Sequence, residues 1–257
     1  MNEVKQRSLG MLAVGRLAWL VYWGLTNTLT AVKTIGNMIL QQAITFGGLR
    51  EEQRLRRARA RCLNPDYDWN AYYKGNPVQR WWKRQLANKV IAIVGDCNPV
   101  VDLGCGSSPI LSMLPSRSKI GIDINKQKVD FMGARDLTSA YMVRGAEDTG
   151  LEDGFAAVVV CTEVIEHHTS PHTLVREIAR IAKPNGKIII ATPDFSSPLW
   201  YIVELLYRLF MRSGYELEHG SKFTETGVRA LAASYGLTHV QTQKILRADL
   251  IMEFTKP

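Results

Sequence analysis

From Pro99 onward, short β-branched runs alternate with helical stretches, and this alternation limits the possible folds more than any other feature of the sequence. Val100–Leu103, Lys119–Asp123, Ala156–Cys161 and Lys187–Ala191 read as strands. Helical stretches over 109–115, 125–135 and 171–183 lie between them, and a helix over 224–235 precedes two strands over 237–246 and 249–255. Such alternation implies an α/β fold, a mainly parallel sheet with helices on both faces. Sheets of this kind bind ligands beyond the carboxyl ends of their strands, so those ends are where function should be sought.

The first strand runs into a glycine turn, Asp102-Leu103-Gly104-Cys105-Gly106, followed by a helix opening near Pro109. Glycine lacks a Cβ, so the backbone here can turn sharply and approach a ligand closely. About 20 residues on, Gly121-Ile122-Asp123 ends the next apolar strand with a carboxylate, which in such sheets can accept hydrogen bonds from ribose hydroxyls. A nucleotide dehydrogenase would carry G-x-G-x-x-G, and Pro109 stands at its last glycine.

With these motifs in order, residues 98–257 resemble the class I S-adenosylmethionine-dependent methyltransferases. The resemblance implies a Rossmann-like, seven-stranded, mainly parallel sheet preceded by a helical N-terminal region. It also implies a cofactor site in which Asp102, Gly104 and Gly106 line the methionine and ribose, with Cys105 in the same loop. Asp123 would hold the ribose, Ile124 would flank the adenine, and Thr162 would close the site from the fourth strand. Ala146-Glu147-Asp148, after the third strand, resembles the adenine-contacting segment. The acid usual there corresponds to Gly145, which leaves the Ala146 backbone or Glu147 as substitutes.

The fourth strand ends in Glu163-Val164-Ile165-Glu166-His167-His168. On a helical turn, residues three or four apart share a face, so Glu163 can meet Glu166 or His167. Two carboxylates and an imidazole suit Mg²⁺ or Mn²⁺. The segment resembles both the ubiquinone-pathway O-methyltransferases and small-RNA 2′-O-methyltransferases, and each resemblance implies a metal at Glu163, Glu166 and His167. His219 is a further candidate ligand or catalytic group. Without a metal, Glu166 and His167 become candidates for acid–base catalysis or for holding the local structure.

The net charge of +8 is unevenly placed. Residues 1–89 hold 15 Lys and Arg against 5 Asp and Glu, while residues 90–257 hold 17 against 19. Within 9–46 only Arg16 and Lys33 are charged, and six arginines follow between Arg50 and Arg61. An apolar and amphipathic stretch followed by arginines has the pattern of an interfacial anchor on anionic lipid. The same pattern also suits helices packed on the protein, with the arginines solvated. Residues 196–212 form a second apolar stretch, broken only by Glu204, Arg208 and Arg212, in which Trp200 and Tyr201 are placed to line a substrate entry.

Three regions follow: an apolar and Arg-rich helical region over 1–62, a helical lead-in over 63–97 with a helix from Pro77 to Val94, and a catalytic domain over 98–257. The four cysteines show no C-x-x-C pair, which argues against a zinc site or disulfide framework and for a reducing, cytoplasmic setting, peripheral at the membrane. The expected activity is methyl transfer to a lipid-like or polyprenylated small molecule at a hydroxyl. The alternatives are an RNA methyltransferase using the arginine cluster and a non-catalytic, cofactor-binding membrane adaptor.

Overall fold

A computed structural model describes residues 64–202 and 221–257 of the chain. The N-terminal apolar and arginine-rich stretches, residues 203–212 of the second apolar stretch, and His219 lie outside the described residues.

Among the described residues two helices come first, α1 (Tyr67–Tyr73) and α2 (Pro77–Val94). Asn76 caps α2, its side chain accepting from the Gln79 N–H at 2.9 Å, and Pro77 enters the first turn where no N–H is needed. The sheet then builds as β1 (Val100–Leu103), β2 (Lys119–Asp123), β3 (Ala140–Val143), β4 (Ala156–Thr162), β5 (Ala182–Pro193), β6 (Thr238–Ile245) and β7 (Asp249–Thr255). Helices α3 (Ile110–Met113), α4 (Lys126–Gly133), α5 (Pro171–Ile181) and α6 (Glu225–Ala233) connect them.

The strand order is β3-β2-β1-β4-β5-β7-β6. The first five strands are parallel, and β7 inserts antiparallel between β5 and β6. This is the seven-stranded, mainly parallel sheet expected from the sequence.

Strand periodicity explains why the central strands are apolar on both sides. Val101, Val159, Ile188 and Ile190 meet α5 and α6 through Leu174, Ile178, Val228 and Leu231. Their neighbours Val100, Val158, Val160 and Ile189 meet α2 and α3 through Leu86, Val90, Ile110 and Leu111. A strand covered on both faces reads as a continuous hydrophobic run, and Val158-Val159-Val160 and Ile188-Ile189-Ile190 are such runs. The lead-in helix α2 is thus a covering layer of the sheet.

Strand order reverses between β1 and β4, which leaves a crevice at their carboxyl ends. Among the described residues no helix is long and apolar enough to cross a membrane. Cys97, Cys105 and Cys161 are free thiols.

Candidate functional site

At that crevice lies a cavity of about 910 Å³, floored by the strand ends and walled on one side by α1 and α2. Its volume is at the upper end of the range of about 300–1,000 Å³ typical of small-molecule sites, so it can take more than one ligand fragment. Gly104, Cys105, Gly106, Asp123, Ile124, Ala146, Glu147, Thr162, Glu163 and His167 all line it. Those ten residues, singled out from the sequence, are therefore brought together.

The glycine loop needs its glycines. Gly104 and Gly106 have φ of +70° and +53°, in the left-handed region that side chains disfavour. A Cβ on Gly104 would collide with Val164 Cγ2, and one on Gly106 would come within 2.7 Å of Asp68 Oδ2. Asp123 is held by two backbone donors, the Gly106 N–H at 2.9 Å and the Asn125 N–H at 2.7 Å. One N–H per oxygen leaves a lone pair on each for a ligand.

Asp102 does not line the cavity but lies beneath the loop, 2 % exposed. Burial pushes its carboxyl up to about 8, with the Asp123 charge adding to the shift. Its Oδ1 has no hydrogen-bond partner among the described residues.

At the other end of the crevice, the carboxylate of Glu147 lies 2.8–2.9 Å from where a Cβ on Gly145 would stand. Glu147 therefore fills the space that a side chain at 145 would take. His168 fixes it. The Ser170 N–H donates to Nδ1 at 3.1 Å, which leaves Nε2 to donate to Glu147 Oε2, also at 3.1 Å. Hydrogen bonding from His168 holds the Glu147 carboxyl below its usual range.

The Glu163–His167 segment departs from the expected helical turn. Glu163 has φ of +60°, a left-handed conformation that is strained for a side-chain-bearing residue and often marks a functional position. The chain turns only after it, where the His167 N–H meets the Val164 carbonyl at 3.0 Å. The rule of residues three apart sharing a face therefore does not hold across Glu163.

Glu166 points inward, 0 % exposed, and accepts from Thr192 Oγ1 at 3.2 Å. Burial, reinforced by the nearby Glu163, raises its carboxyl well above the usual range. It does not line the cavity. Glu163 instead faces Lys83 Nζ at 4.0 Å. Among the described residues no three His, Cys, Asp or Glu side chains converge to hold a metal ion. Glu163, Glu166 and His167 thus do not form the divalent-cation set expected from their spacing.

Several lining residues were not singled out from the sequence. Asp68 of α1 accepts from Lys128 Nζ at 3.0 Å and from Ser107 N and Oγ, both at 3.3 Å, latching α1 to the glycine loop. Burial opposes the Asp68 charge, but Lys128, Lys83 and the Ser107 bond together hold its carboxyl below the usual range. From α2 come Trp81, Trp82 and Lys83. Burial works against the Lys83 charge, yet Glu163, Asp68, Tyr67 and Asp249 together raise its pKa.

Asp249, first residue of β7, is 1 % exposed and accepts from Trp82 Nε1 at 3.2 Å. Burial raises its carboxyl well above the usual range, and Glu163 adds to this against Lys83 and Trp82. A lone acid opening an apolar strand, Asp249-Leu250-Ile251-Met252, and the aromatic pair Trp81-Trp82 are the signals that could have pointed here. Trp200 lines the cavity as expected, whereas Tyr201 does not and stands 61 % exposed.

The model of a family described as "Methyltransferase domain" matches residues 101–190, which hold the glycine loop, Asp123 and the Glu163–His168 segment. The chain is 27% identical over 186 residues to the ubiquinone biosynthesis O-methyltransferase of Bordetella avium, covering 68% of this chain and 75% of that one. The corresponding protein of Erwinia tasmaniensis is 26% identical over 172 residues, covering 62% and 67%. Among solved structures, an N-methyltransferase from Bradyrhizobium japonicum in complex with S-adenosylhomocysteine superposes with a TM-score of 0.59 at 13% identity, covering 79% of this chain and 97% of that one. The magnesium protoporphyrin IX methyltransferase of Synechocystis gives a TM-score of 0.57 at 19% identity, covering 77% and 98%. At such identities these structures speak for the fold.

Proposed function

We propose, from the premise that this chain belongs to the class I S-adenosylmethionine-dependent methyltransferases, that it methylates a hydroxyl on a lipid-like or polyprenylated small molecule. The observation that carries this reading is the cavity itself, in which polar groups lie at the strand ends and exposed apolar side chains at the mouth. Val78, Trp81 and Leu246 all line it while remaining 42–72 % exposed. Leu246 also has φ of +48°, a conformation costly for a branched side chain, at the tip of the β6–β7 hairpin. Apolar side chains held open at the mouth of a polar-floored cavity suit an amphiphile whose head enters and whose tail remains at the rim. The similarity to O-methyltransferases of ubiquinone biosynthesis points the same way.

The residues present fit the cofactor. Asp123, with one lone pair per oxygen uncommitted to the backbone, would hold the ribose diol. Ile124 and Ala146 would flank the adenine, and Glu147, seated where the usual acid would be, would accept from its amino group. Gly104, Cys105, Gly106 and Thr162 would line the methionine arm, with Lys83 supplying a positive charge for its carboxylate. When bound, S-adenosylmethionine supplies a methyl group already activated on a sulfonium. The chain's own residues need only align the acceptor, exclude water and receive its proton. His167 also lines the cavity wall.

The N-terminal region carries the second part of the proposal, that residues 1–61 bring the enzyme to an anionic membrane where such an acceptor resides. Its support is the sequence pattern of apolar stretch and arginine cluster. A cytoplasmic site of action accords with the free cysteines. The test is a chain-length series of phenols with no, short and long alkyl tails, supplied with methyl-labelled cofactor. KM should fall steeply with tail length. A KM independent of the tail would contradict the lipid-like acceptor, and labelling of RNA instead would favour the arginine cluster as a phosphate-binding patch.

A further inference from the structure

We infer that Asp249 is the group that takes the proton from the acceptor hydroxyl. This rests on the hydroxyl reading above and adds a residue that neither the motifs nor the spacing identify.

Three independent features converge on this side chain. First is position. Asp249 opens β7 opposite Pro193, the last residue of β5, so it stands at the carboxyl end of the parallel sheet, where the crevice lies. It lines the same cavity as Gly104, Thr162 and Glu163. Second is an unmet bond. Asp249 is 1 % exposed, one carboxylate oxygen accepts from Trp82 Nε1 at 3.2 Å, and Oδ1 has no partner among the described residues. A buried acceptor left unpaired carries a desolvation cost, which a hydroxyl donor entering the cavity would relieve. Third is its setting. Trp82 fixes the carboxylate from α2, while Lys83 on the same helix, Glu163 at the end of β4 and the buried Glu166 are the charged or titratable groups facing it. Burial and Glu163 raise its carboxyl, whereas Lys83 and the Trp82 N–H favour the ionised form, the one that can accept a proton.

The step balances without any other reactant. The acceptor oxygen bonds to the methyl carbon as the carbon–sulfur bond breaks, leaving its electron pair on sulfur. The hydroxyl proton passes to ionised Asp249, and the resulting carboxylic acid loses it to water after product leaves. Trp82, which touches Asp249 rather than the acceptor, is a positioning residue.

The experiment compares wild type with Asp249→Asn, which keeps the shape and an oxygen for the Trp82 N–H. Three quantities are read: S-adenosylhomocysteine affinity by calorimetry, methyl transfer to a long-chain alkylphenol, and the infrared carboxyl band. The last is recorded as a difference on adding the alkylphenol to the S-adenosylhomocysteine complex. The expected result is S-adenosylhomocysteine affinity within about twofold, turnover down by about 100-fold or more, and loss of the carboxyl difference band. Trp82→Phe should lower kcat several-fold with KM unchanged. Turnover of Asp249→Asn within threefold of wild type, or persistence of the band in the variant, would overturn the assignment while leaving the hydroxyl reading standing. Wild-type protein that methylates an alkylamine but no alkylphenol would overturn both.

Discussion

Removing the carboxylate of Asp123 should weaken S-adenosylhomocysteine binding by one to two orders of magnitude. In the structure each oxygen of Asp123 accepts one backbone N–H, at 2.9 and 2.7 Å, which aims the remaining lone pairs into the cavity. A hydrogen bond to a charged group is worth about 1.5–3 kcal/mol. At about 1.4 kcal/mol per tenfold, losing one ribose bond weakens binding roughly 10–150-fold, and losing both weakens it further. Asp123→Ala also frees the Gly106 N–H, so part of the loss comes from a loosened loop rather than from the ribose. Asp123→Asn separates these contributions, because it keeps the volume and one accepting oxygen, and its affinity should fall between wild type and Asp123→Ala. Isothermal calorimetry with S-adenosylhomocysteine is the assay, with thermal melting of the unliganded proteins as the control for folding. An Asp123→Ala variant that binds within about threefold of wild type would refute the placement of the ribose at this carboxylate.

Asp102 should make stability fall as pH rises. Its folded pKa of about 8 lies above the unfolded value near 3.8, so its contribution is intact below pH 4 and lost progressively up to about pH 8, at no more than about 1.4 kcal/mol per pH unit. Asp102→Asn should flatten that dependence in melting curves recorded from pH 5 to 9, and an unchanged slope would count against it. Glu147→Ala should weaken S-adenosylhomocysteine binding roughly tenfold, while His168→Ala should do so by less because it only orients Glu147; equal affinities for all three proteins would show that the adenine is held elsewhere. Methyl transfer should survive metal stripping, since Glu166 is sealed away and Glu163 faces Lys83; loss on chelation with rescue by Mg²⁺ would restore the metal reading. In liposome flotation, full-length protein should rise with anionic vesicles and a chain starting at Leu63 should stay in solution; equal behaviour would leave residues 9–46 as a packing element.

The elements that the sequence revealed are those whose burial is symmetric. β4 and β5 are covered on both faces, so Val158-Val159-Val160 and Ile188-Ile189-Ile190 stand out as runs. β3 lies at the sheet edge with Ala140 and Val143 exposed, and no comparable run marks it. Helix α1 is built from Tyr67, Trp69, Tyr72 and Tyr73, residues of modest helix propensity, directly after an Asn64-Pro65 turn, so local signals pointed away from a helix.

The glycine loop and Asp123 were legible because their roles depend on local backbone geometry. Glu166 was misleading because a single left-handed residue, Glu163, breaks the helical spacing on which convergence with Glu166 was argued. Asp249 and Lys83 carry only faint signals for a different reason. Their meeting depends on β7 entering antiparallel beside β5 and on α2 folding over the strand ends, and neither contact is local in the chain.

The most direct measurement of the central claim uses S-adenosylmethionine carrying a radioactive methyl group, incubated with the full-length protein and an extract of bacterial membrane lipids. The label and the S-adenosylhomocysteine formed are counted together. Label should move into an organic-extractable, alkali-stable ether, with one S-adenosylhomocysteine produced per methyl transferred and with transfer lost in Asp123→Ala. Cofactor that binds but yields no S-adenosylhomocysteine, or label found only in RNA, would contradict it.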